Sequence, residues 1–502
     1  MRRGPRLAWV ALLCFGLPPV ATAGRGMPEP TIAADDRVFS DPAHVPHTEV
    51  GTTAAIVSPS GQEPGLLFVE SGVSLLSRTL SADGVVGDLV PVTLPSPSRP
   101  DPSPSVHNQI VRLASGELFL VRQGVATAEV TAPPAAAAAF AQWQSYVGGQ
   151  RVVLSTWRSS GRGRTWARVG GIDSALVLDG TCAWPQEVDG KPRPGGWDRP
   201  EIYVDPWTGN LFLSMGCAAG SAPAFRDHAV TDSIVYSSRD EGTTWKLAAR
   251  LPRGQPLVMT TTSDGRLYLV SAAGADTTTA ACRLAWLDSP YLEVAGKADV
   301  SFGDPKKPEH LCALLPSEGL LPRVGQPRDA APTISRVAGR KGEHVIRLAY
   351  PAVQEGRQVL RTGLLRISAT GKVEAKAGPT IVAEDPKGSV LQAVFVETDR
   401  ADHALKADDD TALLYWMETV PSKGEMIARG ALVSGPSGWS PTFDLSRAGG
   451  KRRSWKPDGE WLGDCMKGAF TTDGKTLRFV AQWPESSPPS IDLHVNVVSC
   501  KP

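Results

Sequence analysis

Ser238-Arg239-Asp240-Glu241-Gly242-Thr243-Thr244-Trp245 is the stretch on which the reading of this chain turns. An apolar strand pattern, Ser233 to Ser237, runs into it and another follows it. Within such an octet an Asp carboxylate accepts turn N–H groups, a Gly supplies a position of positive φ, and a Trp covers the underside of the hairpin. The octet therefore reads as a hairpin turn stapled by its own side chains, with Ser238, Asp240, Gly242, Thr244 and Trp245 in structural rather than catalytic roles. A second copy, Ser159-Ser160-Gly161-Arg162-Gly163-Arg164-Thr165-Trp166, keeps Ser159, Gly163, Thr165 and Trp166 but has Gly161 where the Asp stood, which predicts a weaker turn.

Outward from these octets the same grammar recurs: three or four short apolar runs separated by turn residues. One unit reads Ala54 to Val57, Leu66 to Glu70 and Ser74 to Leu80. A second reads Gln109 to Leu113, Leu118 to Arg122 and Arg151 to Trp157. A third opens at Glu201-Ile202-Tyr203-Val204-Asp205, turns through Pro206 to Asn210 and continues at Leu211 to Met215. A fourth holds Leu257 to Thr261 and Leu267 to Ser271, and others begin near Ala331, Val390 and Met466. About seven units of roughly 65 residues fall between residue 47 and the C-terminus, a long period that loops such as Pro133 to Ala139 and Pro185 to Trp197 would absorb. No stretch with sustained helical periodicity interrupts them.

The octet resembles the Asp box, or BNR repeat, of sialidase-like β-propellers. Two further stretches are similar to such exported proteins: Trp197 to Gly209, like the inner-strand opening of an Asp-box blade, and Gly463-Asp464 with Thr472-Asp473-Gly474 and Trp483, like a closing blade. The resemblance implies an all-β fold, a single β-propeller of six or seven four-stranded blades, seven being favoured by the unit count, over residues 47–502. The hydrolases of that family hold the substrate carboxylate with three arginines and attack with a Tyr polarised by Glu. The Arg-Ile-Pro that carries the first arginine has no counterpart here, and Tyr203, Tyr236, Tyr268, Tyr350 and Tyr415 sit in strand-like runs, where sheet packing is their ordinary role. The expectation is a non-catalytic module binding an extracellular glycan or protein, with an exo-α-sialidase-type glycoside hydrolase acting on terminal sialic acids as the alternative.

The first 23 residues read as a signal peptide, with Arg2, Arg3 and Arg6 before the apolar run Leu7 to Leu17 and the small-residue pattern Ala21-Thr22-Ala23. Residues 24–46 form an extended lead-in. No later stretch has the roughly 18 consecutive apolar residues of a membrane span, so a secreted or periplasmic monomer is expected. The 502 residues include 50 Gly and 43 Pro, an excess that calls for many turns. The 52 basic and 52 acidic residues cancel, which removes the long-range field that nucleic-acid or anionic-membrane binding requires. Export makes disulfides of Cys182, Cys217, Cys282, Cys312, Cys465 and Cys500 the expectation. Sequence permits 15 pairings, and the similar separations of neighbours, about 30 to 35 residues, favour Cys182–Cys217, Cys282–Cys312 and Cys465–Cys500.

In a propeller the residues just before each innermost strand converge at one mouth of the central channel. Here these are His107, Asn108, Asp198, Arg199, Arg328, Asp329 and Asp464, which form either a ligand-binding ring or a set of ties between blades. Trp184, Trp197 and Trp207 offer flat faces for sugar stacking or simply cover hydrophobic edges. No metal site is expected: there is no CxxC, His44 and His47 lie near the start, and Asp408-Asp409-Asp410, the one stretch with any Ca²⁺ character, lacks the alternating spacing of a Ca²⁺ loop and reads as a solvated turn.

Overall fold

The computed structural model describes residues 30–32, 36–40, 65–71, 74–80, 87, 90–94, 103–127, 150–160, 163–169, 186–188, 191–193, 195–221, 224–252, 255–263, 265–273, 281–288, 294–300, 332–337, 344–354, 356–398, 410–448, 451–452, 466–472, 475–487 and 490–501. The chain is all-β, and its strands form seven four-stranded blades in a ring, a seven-bladed β-propeller. Blades two to five run consecutively from the inner strands Ser103–Arg112, Gly195–Val204, Gln255–Thr261 and Thr333–Arg336, each continued by three antiparallel neighbours. Blade six begins at Val390–Glu397, and its outer position is shared by Gly438–Trp439 and Phe443–Asp444. In blade one the described strands are Gly65–Ser71, Ser74–Leu80 and Val90–Pro91.

Blade seven takes three strands from the C-terminus, Lys467–Thr472, Leu477–Ser487 and Ser490–Cys500, and its outer edge from the N-terminus. Thr31 pairs with Ser499 and Ile32 with Val498, and Asp36–Ser40 continues along the same strand as far as Asp492. The lead-in segment thus supplies the last strand of the last blade.

The core lies between blades. Each sheet alternates side chains to its two faces, and each face meets the next blade. Phe68, Leu118 and Trp157 fill the space between blades one and two, and Phe119, Leu211 and Ile234 that between two and three. Leu67 and Leu80 of blade one share a cluster with Phe479 and Val497 of blade seven and Tyr415 of blade six, which closes the ring.

Both octets are hairpin turns that lean on the preceding blade. Asp240 accepts from Ser238 Oγ and the Thr244 N–H at 2.8 Å each and from Thr244 Oγ1 at 2.6 Å, while Gly242 N–H donates to Ser238 Oγ. In the second turn Gly163 N–H donates to Ser159 Oγ and Trp166 Nε1 to the Gly163 carbonyl at 2.9 Å, so the Ser, Gly and Trp hold it without an Asp. Trp245 and Trp166 then lie 6.2 and 6.1 Å from the rings of Phe119 and Phe68, centroid to centroid.

Cys500 is buried in the closing strand, opposite Leu477, and the expected Cys465–Cys500 pair lies outside the described residues because Cys465 does. Cys182 and Cys312 are outside the described residues as well. Asp410 is not a solvated turn residue, because it is buried, accepts the Gly435 N–H at 2.8 Å and pairs with Arg347 at 3.4 Å. Among the described residues no group of three or more acidic, His or Cys side chains could hold a metal, and no helix is long and apolar enough to cross a membrane.

Gly116 and Gly242 both have φ near +86°, at 85° and 87°, but nothing lies within 4 Å of a Cβ added at Gly116, whereas one at Gly242 runs into the Phe119 ring. Gly116→Ala is expected to cost about 1 kcal/mol of left-handed strain, and Gly242→Ala about 3 kcal/mol because overpacking adds to it. Urea unfolding midpoints of the two variants check the difference, and equal losses would mean that the turn does not wedge against blade two.

Candidate functional site

Six inner strands are described, and their polar residues meet across the channel at two levels. At the upper level Lys467, near the start of the inner strand of blade seven, donates from Nζ to Gln109 Oε1 of blade two and to Glu201 Oε2 of blade three. These partners skip blade one, so the contacts span the axis rather than the blade boundary. Lys467 and Glu201 retain 21% and 29% side-chain exposure, which leaves the cluster within reach of solvent.

The lower level is formed by the C-terminal ends of four inner strands. Glu397 of blade six accepts from Thr260 Oγ1 of blade four at 3.0 and 3.2 Å, and from the backbone N–H of Arg336 in blade five. Arg336 adds an ion pair to Glu397 at 3.3 Å and donates to the Thr398 carbonyl. Blade three contributes Tyr203, whose hydroxyl oxygen accepts the Thr261 N–H at 3.1 Å and lies 3.2 Å from Thr261 Oγ1. Asp205, in the turn just below, accepts from Thr261 Oγ1 at 2.9 Å and from the Trp207 N–H at 3.1 Å. Burial pushes the Tyr203 phenol up to about 12, and the Glu397 charge adds to that, against the lowering influence of Arg336. The phenol is thus kept neutral at physiological pH.

The arrangement can present alternating donors and acceptors to a polar ligand above a hydrogen-bonded floor. Two of its carboxylates are matched to cations, Glu201 to Lys467 and Glu397 to Arg336, while Asp205 accepts from Thr261, Thr208 and the Trp207 N–H.

Of the residues expected at the channel mouth, His107 and Asn108 lie on the inner strand of blade two, and Asp198 and Arg199 on that of blade three, two strands that pack side by side. The backbone positions therefore neighbour each other, while the side chains of these four are outside the described residues, as are Arg328, Asp329 and Asp464 entirely. Gln109, Glu201 and Lys467, one to three positions further along the sequence, escaped the sequence reading. Lys467 had a visible signal, a lone cation in the apolar run from Met466 to Phe470. Tyr203, read as sheet packing, does pack on the cluster between blades three and four and also ties these blades through its hydroxyl; Tyr415 likewise donates to the Gln482 carbonyl of blade seven at 3.0 Å, and Tyr268 and Tyr350 are fully buried. Trp207 belongs to the Asp205 turn; Trp184 and the Trp197 side chain are outside the described residues.

The fold and site together define an all-β, seven-bladed propeller with a polar, charge-paired channel. No protein-family model and no curated protein matches the chain. Among solved structures, a protein of unknown function from Dyadobacter fermentans is 14% identical with a TM-score of 0.41, over 81% of this chain and 99% of that one. An α-L-arabinofuranosidase from Fusarium graminearum is 13% identical with a TM-score of 0.35, over 78% and 92%. A polysaccharide lyase of family PL25, an ulvan lyase, is 10% identical with a TM-score of 0.36, over 84% and 79%.

The raised Tyr203 pKa sets a stability profile. Between the unfolded phenol's value near 10 and about 12, the folded state holds a proton that the unfolded state releases, so the contribution is complete below the lower value and is lost as pH rises through the upper. Tyr203→Phe is expected to flatten the fall in unfolding free energy across that window, measured by denaturant titration at each pH. An unchanged slope would show that the phenol is not withdrawn from water in the fold.

Proposed function

We propose that the chain is an exported, non-catalytic glycan-binding propeller, with the sugar held in the central channel. The observation that carries this reading is the Lys467 ammonium shared between Gln109 and Glu201, partly exposed and poised across the axis. Sugar hydroxyls both donate and accept, and a cluster with an ammonium, an amide and a carboxylate satisfies both roles without demanding a net charge. The pairing of Glu201 with Lys467 and of Glu397 with Arg336, together with the engagement of Asp205 by Thr261 and the turn below it, supports binding over acid–base chemistry, since a glycosidase of the ordinary kind needs two carboxyl groups free to exchange protons or attack. The likeness of the Ser238 to Trp245 octet to an Asp box, and export through the N-terminal 23 residues, are part of the same reading.

A second reading has one observation in its favour. Tyr203 feels the charges of both Glu397 and Arg336, the residue types with which an exo-α-sialidase-type hydrolase polarises its nucleophile and grips a carboxylate. Its hydroxyl, however, is engaged by Thr261 and its pKa is raised, the opposite of activation.

Screening the labelled mature protein on an oligosaccharide array, followed by calorimetric titration of the best binder, tests the proposal. Lys467→Met is expected to weaken that ligand at least tenfold, from the loss of a charge-assisted bond of about 1.5 to 3 kcal/mol, with the circular dichroism spectrum unchanged. Hydrolysis of a fluorogenic sialoside by the wild type, abolished in Tyr203→Phe, would replace it by the second reading.

A further inference from the structure

Away from the channel a groove of about 340 Å³ opens between blades five and six, a volume within the range of small-ligand sites. Its blade-five wall is a row across three strands. Arg347, Leu364 and Lys376 are register partners, so their side chains leave the same face of the sheet. Pro436, Ser437 and Trp439 of blade six form the opposite wall.

The two cations of the groove differ in kind. Arg347 is buried and fully committed: it pairs with Asp410 at 3.4 Å and donates to the carbonyls of Gly435 and Arg336 at 3.0 and 2.8 Å. It acts as a rigid post that joins the blades. Lys376 is exposed and forms no hydrogen bond or ion pair, whereas Lys372 on the same strand is bound to Glu374 at 2.9 Å. No carboxylate lines the groove. An ammonium beside a partly buried indole, with no acid to neutralise it, selects for a negative charge on a ligand that also carries a flat apolar face.

The remaining lining supplies directional polar groups. Lys376, Ala377 and Gly378 belong to the outer strand of blade five, which among the described residues has a sheet neighbour on one side only. Its second edge presents N–H and C=O groups. Gly378 packs so closely on Thr362 that a Cβ there would come within 2.6 Å of Thr362 Oγ1, so the backbone at this point stays bare. Ser437 adds a hydroxyl opposite.

From these features we propose that the groove between blades five and six is a second saccharide site, specific for an anionic sugar of one or two rings. Its pyranose face stacks on Trp439, its carboxylate meets Lys376, and its hydroxyls bond to the strand edge and Ser437. The reading is independent of the one made for the channel.

The test is calorimetric titration of the mature full-length protein with digalacturonic acid and, in parallel, with its neutral counterpart, the galactose disaccharide. Digalacturonic acid is expected to bind, and Lys376→Gln and Trp439→Ala are each expected to weaken it at least tenfold. Lys376→Gln alters an exposed, unpaired side chain, so its fold is preserved and its result stands even where Trp439→Ala lowers the melting temperature. Lys467→Met, which disables the channel, is expected to leave this affinity unchanged. Equal binding of the neutral disaccharide, no effect of Lys376→Gln, or loss of binding in Lys467→Met instead would each overturn the assignment.

Discussion

A ring of sheets has no free end, and this propeller meets that requirement by pairing the start of its chain with the finish. Thr31–Ile32 and Asp36–Ser40 cover an edge of Ser490–Cys500 that would otherwise leave N–H and C=O groups unpaired. The remaining blades depend on this closure, because each holds its apolar faces only between two neighbours. Were blade seven to detach, the cluster that joins Leu67 of blade one to Phe479 and Val497 would open to water, and blade one would lose half its core.

The stapled turns and the channel network answer one geometric problem, that wedge-shaped blades must meet both at the rim and at the axis. At the rim the turns at Ser159 and Ser238 drive a bare glycine against a Phe of the preceding blade, with a Trp alongside. At the axis polar groups of the inner strands reach across to one another: Lys467 to Gln109 and Glu201, Thr260 to Glu397. Charges so placed must be matched, since an unpaired one costs several kcal/mol when buried. Arg336 serves Glu397 with both backbone and guanidinium, which holds the floor in one arrangement.

The blades were legible in the sequence because their signals are local. Period-2 runs bounded by Gly, Pro and Asp gave starts near Ala331, Val390 and Met466, and the strands begin at Thr333, Val390 and Lys467. The channel was less legible because strand register decides which residue faces the axis. The inner strands of blades two and three shift register between Pro104 and Asn108 and between Asp198 and Glu201, beside the four residues placed at the mouth. A bulge re-aims every side chain after it, and no composition signal marks it. The network that does form lies just beyond, at Gln109 and Glu201. The N-terminal strand was invisible for another reason: Thr31–Ile32 is too short for a period to emerge, and its partner lies at the far end of the chain.

Equal numbers of acidic and basic residues give the molecule no far field, so selectivity has to arise at contact range. The channel and the groove do this in opposite ways. In the channel every described charge has a partner, and a ligand must compete with protein–protein bonds such as Lys467 to Glu201 by reproducing them with hydroxyls. In the groove Arg347 is neutralised by Asp410 and serves as scaffold, while Lys376 is left unsatisfied and supplies the attraction. A neutral polyol fits the first logic and an anion with a flat face the second. Two sites on one rigid ring would then let a single chain hold a polymer at two unlike sugars, with avidity set by the fixed distance between them.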